Sequence, residues 1–144
     1  MSFSNYLEQT VLDYVYGLTA FTPSGFLYVG LSTTTPGEDA SNFTEPASAS
    51  GYSRAIIHNA KSSSGWIAAS QNSTSGQLTN AGTVTFPIAS GNWGTVTSYG
   101  LFDRPTGTGT PTNMYNVGAL STSRAVVTND TLSFASGAFI IRID

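Results

Sequence analysis

Cysteine is absent from this 144-residue chain, which excludes a disulfide framework, a thiolate nucleophile and a zinc–thiolate site. Charge is scarce too. Only 9% of residues are Asp, Glu, Lys or Arg, against roughly a quarter in ordinary soluble domains. The polar surface must therefore be built from Ser, Thr, Asn and Gly, which lose water at less cost than Lys and Glu do. That composition suits a chain held in a large assembly, or an extracellular binding β-domain. The five basic residues, Arg54, Lys61, Arg104, Arg124 and Arg142, form no stripe, and the net charge is −3. Nucleic acid is not an expected partner, because it needs a clustered positive surface. No apolar run approaches the ~20 residues of a membrane span, so no membrane partner is expected. The first thirteen residues carry Glu8 and Asp13 and no base, so no secretory signal is expected there.

Catalytic residue types are equally thin. His58 is the only histidine, and its alternation with Ile56 and Tyr52 reads as a half-buried structural position. Gly51-Tyr52-Ser53-Arg54-Ala55 faintly resembles a nucleophile elbow but lacks the second glycine and the strand-to-helix context. Glu38, Asp39 and Glu45 share one polar loop, and Asp103 and Asp130 sit at strand ends. These are turn formers and solvated groups before they are paired catalytic acids, and no EF-hand spacing joins them into a calcium loop. Three N-x-T matches, at Asn42, Asn72 and Asn129, are unremarkable in so Thr-rich a chain. The aromatics, among them Tyr6, Tyr14, Tyr16, Trp66 and Trp93, could make a sugar platform but more often fill a core or an interface. No catalytic residue, cofactor or metal site is expected.

What is present is β-pattern. One helix is expected near the start, where Phe3, Leu7, Val11, Tyr14, Val15 and Leu18 recur on one helical face. Asn5 with Glu8 forms a capping-box-like start, Ser4 is the competing N-cap, and Gly17 is the stop. A helix of about three turns is marginal alone, so its apolar face must dock on its own domain or on a neighbour. From residue 26 onward the period is two. Strands are expected at 26–33, 51–60, 66–67, 83–89, 93–103, 114–122, 132–134 and 139–143, separated by Gly, Pro, Asn and Ser turns. In 51–60, Tyr52, Arg54, Ile56 and His58 are expected on one side, with Ala55 and Ile57 opposite. In 83–89, Val84, Phe86 and Ile88 are expected to share a face, and Pro87 marks an edge or bend. Loops are expected at 36–50, 71–77 and 104–113. About eight short strands with regular turns predict an all-β single domain, an antiparallel sandwich or jelly roll with one short N-terminal helix. Residues 1–20 would be helix and arm, and 24–144 the sandwich.

Several stretches extend this reading: Ser2-Phe3-Ser4-Asn5-Tyr6-Leu7-Glu8, Leu27-Tyr28-Val29-Gly30-Leu31-Ser32-Thr33, Gly51-Tyr52-Ser53-Arg54, Val84-Thr85-Phe86-Pro87, Trp93-Gly94-Thr95-Val96, Gly100-Leu101-Phe102-Asp103 and Asp130-Thr131-Leu132-Ser133-Phe134. In order and spacing the chain resembles a family of small bacteriophage virion proteins, often labelled tail-fibre proteins. In build it is also similar to jelly-roll cement proteins that decorate phage heads. The resemblance implies a non-enzymatic structural protein on the particle exterior, made in the host cytoplasm and present as a homo-oligomer or in many copies. The expected role is cement, clamping neighbouring major capsid subunits; the alternative is a tail-fibre, fibre-adaptor or baseplate component that helps attach to the host surface. The expected partners are the major capsid protein or other virion proteins. Phe3, Tyr6, Leu7, Tyr14, Phe43, Pro105 and Pro111 are the expected contact residues.

Overall fold

The computed structural model describes residues 2–71, 76–106 and 114–143. Among them are ten strands and one α-helix: β1 (Ser2–Phe3), α1 (Asn5–Val15), β2 (Phe26–Ser32), β3 (Ala55–His58), β4 (Trp66–Gln71), β5 (Gly76–Asn80), β6 (Val84–Thr85), β7 (Gly94–Phe102), β8 (Met114–Val126), β9 (Ser133–Phe134) and β10 (Ile140–Ile143). They form a five-stranded sheet in the order β1-β8-β7-β2-β3, a three-stranded sheet β10-β5-β4, and a two-stranded ribbon β6-β9. The strand pairs are antiparallel. The all-β, sandwich-like class is as expected, with more strands than the turn signals suggested. The two extra ones are β1 and β5: of segment 71–77, expected as a loop, Gln71 ends β4 and 76–77 begin β5, while 72–75 lie outside the described residues.

The core lies between the sheets. Leu27, Val29 and Leu31 of β2 alternate inward, as period-two geometry requires. They meet Ile57, Trp66, Phe86, Trp93, Val96 and Phe139 in one cluster. Aromatic rings run through it in edge and tilted contacts: Tyr52 to Trp93 at 5.3 Å, Tyr99 to Phe139 at 5.1 Å and Phe134 to Phe139 at 4.7 Å. Asn80, fully buried, ties the ribbon and β10 to this core. Its Nδ2 donates to the carbonyls of Gly82 and Ala135, and its Oδ1 accepts from the Phe139 N–H. A buried amide is tolerated because its polar atoms are bonded.

Two face assignments change, and β7 adds a break of its own. Tyr52 and Arg54 are buried, while Ile56 and His58 are exposed, because the strand begins only at Ala55 after a turn with Gly51 at φ 80°. Ile88 is 65% exposed although Val84 and Phe86 are buried; β6 ends at Thr85 ahead of Pro87, which has no N–H for a ladder. In β7, Val96 faces the core but Ser98 and Gly100 do not. The break lies where pairing jumps from Val96↔Arg124 to Ser98↔Ala119, an irregularity that resets alternation.

The outer side of the five-stranded sheet is covered as well. Gly30 and Gly100 sit opposite each other on β2 and β7 and leave a slot. Phe102 and Phe43 fill it edge-to-face at 4.9 Å, beside Ala40, Met114 and Val117. A Cβ on Gly100 would lie 2.7 Å from the Phe43 ring. Gly100→Val is therefore expected to displace Phe43 and destabilise the fold by about 1–3 kcal/mol through overpacking. Urea unfolding measures this; an unchanged midpoint would mean that the slot can widen without loss.

Candidate interaction surface

The N-terminal segment is joined to the domain at one end only. Ser2 and Phe3 pair with Val117 and Asn116, adding β1 to the edge of the sheet. Ser4, completely buried, is the N-cap: its Oγ accepts from the Leu7 N–H at 3.2 Å and donates to the Met114 carbonyl. Its own N–H donates to Tyr115 O, and that of Asn5 to Glu38 O. The competing cap is thus the real one, since Ser4 alone satisfies an orphan helix donor and β8 together. Leu7 enters the core, with Phe3, Tyr6 and Val11 packed against it, and Tyr6 stacks on Tyr115 at 5.9 Å.

Beyond Val11 the helix runs clear of the sheets. Leu12, Tyr14, Val15, Tyr16 and Leu18 are 57–75% exposed. The end is nonetheless well terminated. Gly17 at φ 72° takes the left-handed position, its N–H donates to Tyr14 O, and the Leu18 N–H donates to Asp13 O at 2.8 Å. This is the paired-bond stop that glycine permits.

A second built feature holds the loop over the outer sheet face. Arg54 grips Glu45 with two bonds, Nε to Oε1 at 2.9 Å and Nη2 to Oε2 at 2.8 Å, with side chains only 3% and 12% exposed. Its Nη1 donates to Arg104 O, and its guanidinium lies 3.7 Å over the Phe102 ring. The Tyr52 hydroxyl donates to Glu45 Oε1 and accepts from the Leu31 N–H. Burial, with the Glu45 charge beside it, pushes the Tyr52 phenol well above its ordinary range. The arrangement is a charge-assisted clamp. It was not legible in sequence, where Arg54 read as one of several scattered bases.

The sequence-derived contact residues divide accordingly. Tyr14 and Pro105 are exposed. Phe3, Tyr6 and Phe43 are half-buried against this chain's own clusters. Leu7 is a correction: at 9% exposure it is core, because the N-cap bond turns that part of the helix inward. Pro111 lies outside the described residues. Leu12, Val15, Tyr16 and Leu18, not named with them, are the other exposed apolar residues at this helix end; their signal was apolar residues on both sides of a short helix.

No chemistry converges. His58 is exposed rather than half-buried, its ring meeting Phe26 edge-on at 5.0 Å. Ser53 is exposed. Glu45 is held by Arg54, and Asp130 closes a turn by accepting from Val127 N. Asp39 closes another by accepting from Ser41 N; the Ser41 side chain first, and then its backbone N–H, hold the Asp39 carboxyl below the usual range. Burial raises the Asp103 carboxyl. Among the described residues no three His, Asp or Glu side chains could hold a metal, and no helix is long and apolar enough to cross a membrane. A cavity of about 350 Å³ lies between α1, the large sheet and the three-stranded sheet, lined by Leu7, Phe21, Leu27, Trp66, Leu78 and Ile141 among others. Two of its lining amides are spent on backbone, Asn59 on Ser24 O and Asn116 on Ser2 O; Gln77 and the indole N–H of Trp66, which is buried with no hydrogen-bond partner among the described residues, line it too. Of the ten aromatics weighed as a platform, only Tyr14 and Tyr16 are exposed.

A rigid β-domain with no assembled reactive constellation among its described residues and with an apolar helix end held out to solvent is a structural and interaction module. The chain belongs to the Gp80 family, described as podophage GP4 fiber I protein gp80, which matches residues 2–142. It is a phage virion structural protein, as its resemblance implied. No curated protein matches the chain in sequence.

Proposed function

We propose that this protein is a fibre component of the phage tail, a compact module that joins or tips a fibre, and not a cement protein on the head. The observation that carries this reading is the family match across residues 2–142, whose description is that of a fibre protein. The domain supports it. Among its described residues there is no elongated shaft, loop 36–50 covers part of the outer face of the five-stranded sheet, and the chain is poor in charge. A module of this kind transmits position and contact, and its affinity comes from copy number and from a few buried anchors. Head decoration would draw on the same low-charge β-domain; the family description is what favours the fibre.

The test is immunogold labelling of intact particles with antibody to the purified domain. Gold at the tail is expected. Gold spread over the head would replace the fibre reading with the cement reading.

A further inference from the structure

We infer that the C-terminal end of α1 is the plug by which this protein docks into an apolar groove on a different virion protein, one whose rim carries Lys or Arg. The inference rests on the protein being a virion component, but not on which end of the particle holds it. Three observations lead to it.

First, the end is largely apolar, Asp13 being the one charged side chain of its last turn. On α1, Leu12, Val15 and Tyr16 follow i, i+3, i+4 spacing and form one face. Tyr14 continues the face that Leu7 begins, past the edge of the sheet, and Leu18 follows the stop. All five are more than half exposed. Five large apolar side chains clustered at one exposed helix end form a contiguous patch on the order of several hundred Å², a size that is often functional.

Second, the end is pre-formed. The Gly17 stop and the Leu18-to-Asp13 bond terminate it, and Ser4 anchors the other end to β8. Docking therefore carries little ordering cost.

Third, size and charge decide the occupant. In an isologous pair this patch would meet its own copy. Alone it falls short of the roughly 800 Å² per side of a standard interface, whereas a groove wraps a helix end on several sides. The charges on α1 are Glu8 and Asp13, with Glu8 one turn before Leu12 on the same side of the helix. The chain has no Lys or Arg before Arg54, which is buried in its pair with Glu45. A symmetric pair would set acid against acid. A basic rim instead complements both these carboxylates and the negative end of the helix dipole.

The test uses particles grown without the native gene and supplied with the protein in trans. With a photo-cross-linking amino acid in place of Tyr16, irradiation of intact particles is expected to join this chain to a different virion protein, at a peptide containing Lys or Arg. Leu12→Ser with Tyr16→Ser is expected to leave the circular dichroism and melting of the purified protein unchanged and to lower copies per particle at least tenfold. Glu8→Lys is expected to lower incorporation several-fold, with its conservative partner Glu8→Asp near wild type. A cross-link to a second copy, or normal incorporation of the double-serine variant, overturns the inference. Gold labelling decides the location independently: a cross-link to a head protein would sink the fibre reading and leave the plug standing.

Discussion

Replacing Glu45 with alanine is expected to cost about 3–5 kcal/mol of stability, the range for removing one partner of a buried ion pair. The side chains of Arg54 and Glu45 are 3% and 12% exposed and share two bonds. Without the carboxylate, the guanidinium stays desolvated over Phe102 and the Tyr52 hydroxyl loses its acceptor. Two contacts of loop 36–50 with the sheet, those of Glu45 and Phe43, would then weaken together with the neighbouring Leu31–Tyr52 bond. Urea unfolding measures the loss, and hydrogen exchange at the Leu31 amide reports the loop directly. Glu45→Leu combined with Arg54→Met is expected to recover most of the stability, since apolar replacement of a whole buried pair is often neutral or better. A Glu45→Ala loss under about 1 kcal/mol would place the pair with surface salt bridges and remove the clamp from the account.

Phe139→Ala is expected to be as damaging, about 3–5 kcal/mol, the usual cost of deleting a buried aromatic. Phe139 is 1% exposed and is the ring where Tyr99 and Phe134 meet. Its own N–H is held by Asn80, so the cavity would open where β5 and β10 join the main core. Thermal and urea melts of the variant check this. Tyr16→Ala is the control: a 74% exposed side chain should move stability by no more than about 0.5 kcal/mol. If the two variants behaved alike, the division between core aromatics and the helix end would be mistaken.

Much of the fold was readable residue by residue. Leu27, Val29 and Leu31 alternate with Tyr28 and Gly30, and β2 is there. Ser4 and Gly17 bracket the helix, and both act as its ends. Asn129 and Asp130 make the turn expected of them, with Asn129 at φ 73°. The errors came where alternation was carried across a break. Tyr52 and Arg54 were grouped with Ile56, and Ile88 with Phe86, although a turn and a proline interrupt the strands there. The candidate surface was half legible. Tyr14 was named, but Leu7 was named with it, and only the docking of the helix distinguishes them.

The amino-acid sequence by itself determined the fold class of this protein: period-two segments separated by turn residues make an all-β domain with one short helix at its start. Caps, turns and alternation depend on residues close in the chain, so they can be read locally. The clamp and the plug depend on contacts between residues far apart: Arg54 with the carbonyl of Arg104, Ser4 with Met114. Only strand order and register bring such pairs together. The tertiary structure therefore decided which base is buried with a partner, which aromatics make the core, and which end of the helix is left for another protein to cover.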